Sequence, residues 1–166
     1  MTSSTTATAT TTTTASATTD PNALAWGDVL ALSDDLGHGV YLSTVGPDVR
    51  PHVAWVMLGN QSETFLISTW RSSQKGVNLR QATEVAMHWP ERSDGLMFAR
   101  ASLRIVEDRA ESDRLWDDGP LPYDLGLFFT GKDDPDLLFV ELRPMRLTVR
   151  TLIDPEGPPR VWLPTA

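Results

Sequence analysis

The chain has 166 residues, 40% of them hydrophobic and 22% charged, which is typical of one globular domain with a sizeable core. Its formal net charge is −8, whereas nucleic-acid-binding domains usually carry a basic face, so we expect no nucleic-acid partner. It has no cysteine, which excludes disulfides, thiolate metal sites and cysteine nucleophiles. Because no apolar run reaches the ~18 residues of a membrane span and no secretory signal pattern is present, we expect a cytoplasmic protein without membrane association.

The N-terminal residues 1–19 are almost wholly Thr, Ser and Ala. We expect a disordered tail there, because no large apolar side chain after Met1 offsets the entropy of ordering the chain. Order is predicted to begin with a helix that has Asp20 as its N-cap, Pro21 at its first position and Gly37 after its end.

The next segments alternate between strand and turn patterns. "GVYLSTV" and "HVAWVML" predict two strands joined by a turn at "GPDVRP", and "GN" at 59–60 predicts another turn. "TFLIST" predicts a third strand, followed by a helix of roughly two turns over 74–82. Two further strands are predicted for "EVAMHW" and "LMFARASLRIVED".

The C-terminal part predicts a helix and a long strand. Asp108 and Glu111 resemble a capping box for a helix that reaches about Trp116. In the strand "LLFVELRPMRLTVRTL", Pro144 is restricted to a bulge or an edge. About six strands joined by local turns, with three helices, predict a mainly β protein: a six-stranded antiparallel β-barrel with peripheral helices. We expect this domain to span residues 20–153, and 154–166 to form a proline-rich tail.

The stretch "STWRSSQKGVNLRQ" gathers hydroxyls and cations where a strand passes into a helix. The first turn of a helix leaves backbone N–H groups unpaired, and anions bind there. Arg71 offers a fork of donors and Lys75 a point charge, while Ser72 or Ser73 is the predicted N-cap. These residues predict a phosphate site, although exposed cations and a Ser-Ser cap also occur without any ligand.

The remaining polar residues indicate no other catalytic site. The three histidines, His38, His52 and His88, have no metal-ligand spacing, so we expect no metal. His52 is interpreted as a hydrogen-bonded structural residue or as a substrate contact. The spacing indicates no Ser-His-Asp arrangement and no carboxylate pair, as expected where a cofactor carries the chemistry.

The ordered set "VYLSTVGPDVRPHVAWVML", "TFLISTWRSSQKGVNLRQ", "VAMHW" and "DDPDLLFVELRP" resembles the pyridoxamine 5′-phosphate oxidase-like family of flavin-binding split β-barrels. The later segments look like the subgroup of general stress proteins and flavin/deazaflavin reductases. Relatives often have Asp-Gly in the first turn, whereas this chain has Asp48-Val49. Because a β-branched residue disfavours a positive φ, we expect a type I rather than a type I′ turn there.

The resemblance implies a homodimer with FMN in a groove between protomers, and it places the cofactor by position. Arg71, Ser73 and Lys75 would hold the phosphate, with Ser72 and Gln74 as neighbours. Strand Val53–Val56 (Val53, Ala54, Trp55, Val56) would run along the ring edge, and Ser68 and Thr69 would approach the ribityl chain. One of Trp89, Trp116 and Phe129 would reach the partner protomer's ring.

Family members use FMN, the deazaflavin F420 or, in some branches, haem or biliverdin. The acidic tail of F420 favours a basic channel, and 22 acidic against 14 basic residues give no sign of one, so FMN leads. We expect an FMN-dependent oxidoreductase that transfers hydride between flavin and a small organic substrate. The alternatives are an F420-dependent reductase and a flavin- or haem-binding protein without turnover.

Overall fold

The structure is a computed structural model, and it describes residues 20–92, 95–151, 153–154 and 156–164. The tail predicted for residues 1–19 lies outside the described residues. These ranges contain three α-helices: α1 (Trp26–Asp35), α2 (Gln74–Leu79) and α3 (Arg109–Asp118). The same ranges contain eight strands, two of them only three residues long. They are β1 (Gly39–Val45), β2 (Pro51–Met57), β3 (Gly59–Gln61), β4 (Thr64–Trp70), β5 (Glu84–Arg92), β6 (Gly95–Ile105), β7 (Leu137–Thr151) and β8 (Arg160–Trp162).

The strands form one antiparallel sheet in the order β2-β1-β5-β6-β7-β4-β3, with β8 also paired to β7. The sheet curls into a half-barrel with the helices around it, which confirms the predicted fold class. Because β2 and β3 stand at the two ends of this order, the barrel is split between them. The short strands β3 and β8 bring the number from about six to eight, and β3 forms where "GN" predicted a turn.

The first helix begins later than predicted. Asp20 does not cap a helix: its carboxylate accepts the Asn22 N–H at 2.9 Å within a turn. The residues after it pair with the C-terminus instead, since Leu24 N–H donates to the Val161 carbonyl at 2.8 Å. The N-cap is Ala25, whose N–H donates to the Asp28 carboxylate at 3.0 Å. Part of the proline-rich tail thus joins the sheet, and Trp162 of β8 is buried in the core.

The hairpin loop between β1 and β2 contains a left-handed valine. Val49 has φ +61°, so the premise that a valine would avoid a positive φ here is wrong, whereas the two residues before it have no positive φ, as the expected type I turn requires. Val49 N–H donates to the Gly46 carbonyl at 2.9 Å, and Gly46 N–H donates to the Arg50 carbonyl at 3.0 Å. This is the bonding pattern of a type I turn followed by one left-handed residue, and Val49 stands where that residue is required.

Pro144 lies beside a bulge, as its chemistry predicts. Along the β6–β7 ladder, Arg100 pairs with Arg146 and Ala101 with Pro144, so Met145 is the extra residue on β7. The bulge bends β7, which pairs with β6, β4 and β8, and lets a proline enter an internal strand.

Two apolar clusters hold the fold together. The larger one fills the barrel, and the fully buried Phe65 and Trp89 rings meet in it at 5.7 Å. The second lies between β4, β7, α3 and the loop after α3, and its members include Leu115, Leu125 and Phe139. Burying each such side chain contributes about 1.5–3 kcal/mol. This cluster fixes the loop over 119–131 against β4.

Candidate functional site

A cavity lies where the ends of β2 and β4 meet α2 and the loop after α3. Its walls are mostly aromatic or aliphatic, with a few polar groups. The lining residues are Trp55, Val56, Met57, Ser68, Thr69, Trp70, Lys75, Tyr123, Phe128 and Phe129. An apolar cavity with a few converging polar groups is the usual form of a small-molecule site.

Lys75 is the one cation among the described residues that line this cavity. Burial lowers the pKa of its ammonium group below the usual 10.5. Within the described part of the chain, no hydrogen bond or ion pair is found for this group. A desolvated cation without a counter-charge is costly in the empty protein, and an anionic ligand group would offset that cost.

Two hydroxyls meet on another wall of the cavity. Ser68 Oγ of β4 and Tyr123 Oη of the loop after α3 are 2.8 Å apart and share a hydrogen bond. Burial raises the pKa of Tyr123, with the bonds to Ser68 opposing the shift, so the phenol stays protonated at neutral pH. The pair therefore presents neutral donor and acceptor groups to a ligand.

Helix α2 carries Lys75, and two local features fix its position. Ser73 is the N-cap: its hydroxyl accepts the Gly76 N–H at 3.0 Å and donates to the Trp70 carbonyl at 2.7 Å. Gly76 packs so closely on the turn before the helix that a Cβ there would overlap the Trp70 carbonyl oxygen. Under the helix, Asn78 Nδ2 donates to Thr44 Oγ1 of β1 at 3.0 Å. The helix is thereby fixed on the barrel with Lys75 turned to the cavity.

Arg71 and Ser72 are not brought to this cavity. Arg71 faces the other side of the turn, where its guanidinium lies 3.9 Å from the Glu107 carboxylate. Ser72 donates to the Asp136 carboxylate through both its N–H and its hydroxyl, at 2.6 Å each. A carboxylate therefore already uses the donors before α2, and Lys75 is the predicted phosphate-binding cation that lines the cavity.

Of the other predicted cofactor residues, some line the cavity and some do not. Trp55, Val56, Ser68 and Thr69 line the cavity together with Lys75. Ser73 acts as the helix cap, and Gln74 donates to Asn78 at 2.8 Å. Val53 and Ala54 do not line the cavity, and Val53 faces outward from the sheet.

The predicted cofactor residues did not include four lining residues, Met57, Trp70, Tyr123 and Phe128, and Phe129 was predicted for the partner protomer's ring. Met57 could have been found by extending the ring-edge strand by one residue. Tyr123 and Phe128 belong to the loop "LPYDLGLFF", whose aromatic composition indicates that the loop packs against another part of the protein. The return of that loop to β4 depends on the second apolar cluster, which no local pattern reveals.

None of the three aromatic residues expected at the partner protomer's ring is exposed, although Phe129 lines the cavity. Trp89 is fully buried, and its indole N–H donates to Ser33 Oγ at 3.1 Å. Phe129 is buried and Trp116 half-buried, and both pack in the second cluster. The exposed aromatic residues are others: Trp55, Tyr41, Phe98, Trp70 and Phe128.

Neither a metal-binding group nor a membrane-spanning helix is found in the described ranges. Nowhere in them do three His, Asp or Glu side chains gather closely enough to hold an ion. None of the helices in those ranges has the length and hydropathy that a membrane crossing requires.

With this geometry in place, comparison with known proteins gives the class of the protein. Residues 38–150 match the sequence profile of the pyridoxamine 5′-phosphate oxidase family. The chain belongs to this family, and its fold is that family's split β-barrel. A search of curated protein sequences found no significant match.

Solved structures of the same fold include proteins that are named for different functions. A Clostridium acetobutylicum protein related to general stress protein 26 of Bacillus subtilis has 18% identity over 81% of this chain and 93% of its own, with a TM-score of 0.63. An FMN-binding protein of Nostoc punctiforme has 17% identity over 78% of this chain and 87% of its own, with a TM-score of 0.61. An F420 reductase has 24% identity over 69% of this chain and 94% of its own, with a TM-score of 0.50.

Proposed function

We propose that this protein is an FMN-dependent oxidoreductase that transfers hydride between the flavin and a small organic substrate. One observation carries the proposal: the desolvated ammonium of Lys75 lies in an aromatic cavity without a counter-charge among the described residues. A cofactor with a phosphate and a planar ring would supply a counter-charge for the ammonium and a ring to pack against the aromatic walls. In this proposal Lys75 binds the phosphate, and Ser68 and Thr69 bind the ribityl chain.

The charges around the cavity favour FMN over the deazaflavin F420. Among the described lining residues, Lys75 supplies the positive charge, which suits one phosphate better than a tail with several carboxylates. Arg71, Arg109 and Lys132 lie together on the other side of the turn, but Arg109 and Lys132 are already paired with Asp133 and Asp117. The relatives named as an FMN-binding protein and as an F420 reductase have the same fold, so the fold is compatible with either cofactor.

The protein's own part in the reaction is to bind the flavin and to orient its ring. Bound flavin would supply the hydride chemistry. The ionisable side chains among the described lining residues are those of Lys75 and Tyr123. The neutral Ser68–Tyr123 pair offers hydrogen bonds, and the aromatic walls exclude water from the ring.

We also propose that the protein is a homodimer, with the outer face of strands β2, β1, β5 and β6 as its interface. The strand register places Tyr41, His88 and Phe98 in one row across this face, and Trp55 of β2 pairs with Tyr41 at the end of that row. Tyr41 and Phe98 are 45% and 40% exposed, and the His88 ring stacks on Phe98 with centroids 4.7 Å apart. An exposed aromatic row of this kind is unusual on a monomer, and a second copy would cover it.

The interface has a direct test in the solution mass. Phe98→Asp places a charge inside the row, and we expect it to convert a dimer into a monomer in light-scattering measurements. Ile153→Asp is the matched control, since Ile153 is 80% exposed and follows the end of β7, outside the strands that carry the row. A wild-type protein that is monomeric at high concentration would overturn the dimer proposal.

The redox function is tested by loading the purified protein with FMN and adding NADH, NADPH or reduced F420 under anaerobic conditions. We expect one of these donors to reduce the bound flavin, seen as loss of its visible absorption. Bound flavin that none of them reduces would favour a binding protein without turnover. A protein that binds F420 but not FMN would contradict the choice of cofactor.

A further inference from the structure

Trp55 holds an unusual position against a glycine of the neighbouring strand. A Cβ added to Gly39 would come within 2.6 Å of three indole atoms of Trp55, so the indole lies against the bare backbone of β1. Gly39 is buried, whereas Trp55 is 55% exposed. Glycine is therefore required at position 39 for the indole to take this orientation.

The indole is turned away from the aromatic row and towards the cavity. Tyr41, His88 and Phe98 contact one another across the strands, with ring centroids 6.4 and 4.7 Å apart. Within the described part of the chain, by contrast, no aromatic ring is found stacked on Trp55. Trp55 does line the cavity, together with Lys75.

We infer that Trp55, held in place by Gly39, is the stacking platform for the planar ring of the bound cofactor. This inference rests on the proposed function. It places the Trp55 indole on the face of the cofactor ring, whereas the family resemblance implied that the strand of Trp55 runs along the ring edge. The observed geometry supports it in two ways: one side of the indole lies on β1, and the side chain remains exposed at the cavity that Lys75 also lines. Offset stacking of two aromatic systems is favourable beyond simple area burial.

Stacking makes a spectroscopic prediction that does not depend on turnover. Indole is the most readily oxidised aromatic side chain, so a stacked tryptophan quenches flavin fluorescence by electron transfer. The phenyl ring of phenylalanine stacks but does not quench. Trp55→Phe should therefore raise the emission of bound FMN several-fold with affinity retained, and Trp55→Leu should also weaken FMN binding about 2- to 10-fold.

The role of Gly39 is tested with Trp55 left intact. Gly39→Ala should displace the indole and raise flavin emission as Trp55→Phe does. Gly27→Ala is the control, because a Cβ at Gly27 in α1 meets no atom within 4 Å, and this variant should leave emission unchanged. If Gly39→Ala does not fold, the two Trp55 variants still decide the question.

Results that would overturn the stacking inference can be told apart from results that would refute the proposed function. Unchanged emission in Trp55→Phe, with unchanged FMN affinity in Trp55→Leu, would overturn the stacking platform while leaving the proposed function intact. A Trp55→Leu protein that becomes monomeric with unchanged emission would assign Trp55 to the subunit interface, which also overturns the inference. A wild-type protein that binds no FMN would instead refute the proposed function.

Discussion

Replacing Lys75 with methionine should separate cofactor binding from stability. Methionine keeps the length of the buried side chain but removes the ammonium group. A hydrogen bond to a charged group contributes about 1.5–3 kcal/mol, so we expect FMN to bind about 10- to 150-fold more weakly. Riboflavin has no phosphate, and its affinity should stay unchanged. Calorimetric titration of both ligands measures the difference.

The same substitution should make the empty protein more stable. Burial lowers the pKa of Lys75 below 10.5, so the folded state disfavours the charged form. The resulting penalty is absent above the unfolded-state pKa and develops as the pH falls below it, so it acts at neutral pH. Lys75→Met removes this penalty, and its melting temperature at pH 7 should rise.

The control for both measurements is Lys132→Met. Lys132 is exposed, lies outside the cavity and pairs with Asp117 at 3.4 Å, so the variant changes the net charge equally. It should leave FMN affinity unaltered. If Lys75→Met weakens FMN and riboflavin equally, or leaves FMN unaffected, the assignment of Lys75 to the phosphate is refuted.

Three further predictions concern stability and can be measured by thermal or denaturant unfolding. Val49→Gly should stabilise by about 1 kcal/mol, raising the melting temperature by roughly 2–4 °C, because glycine relieves the strain at φ +61°; a lower melting temperature would contradict this. Gly76→Ala should destabilise by about 1–3 kcal/mol through overlap with the preceding turn, whereas Gly27→Ala in an open position of α1 should not. Arg104 bonds the Glu111 carboxylate at 2.6 Å and lowers its pKa, which stabilises the fold above about pH 4.5 and is lost on acidification. In Arg104→Met this acid-side loss should shrink, and an identical pH profile would count against the ion pair.

Much of the strand order could be predicted from the sequence because period-two patterns and turn residues are local signals. The bounds of β1 were predicted to the residue, and Pro144 marked the bulge that a proline in an internal strand requires. Asp20 misled because its helix-capping pattern is local, whereas the pairing of Leu24 with Val161 depends on residues far apart in the sequence. The long-range pairing prevails over the local capping pattern, so the helix begins only after residue 25.

The candidate site was predictable in place but not in detail. Spacing along "RSSQK" put Arg71 and Lys75 close together in the sequence, yet a turn residue and a helix residue point to opposite sides of the same turn. Tyr123 reaches the site only because the second apolar cluster folds its loop onto β4. The direction of a side chain in a turn and the return of a distant loop depend on tertiary structure.

A crystal structure of the protein loaded with FMN would test the central claim most directly. The account predicts the cofactor phosphate within hydrogen-bonding distance of Lys75 Nζ and the cofactor ring against the Trp55 indole. Phosphate bound by Arg71 on the far side of the turn, or FMN bound outside this cavity, would contradict it.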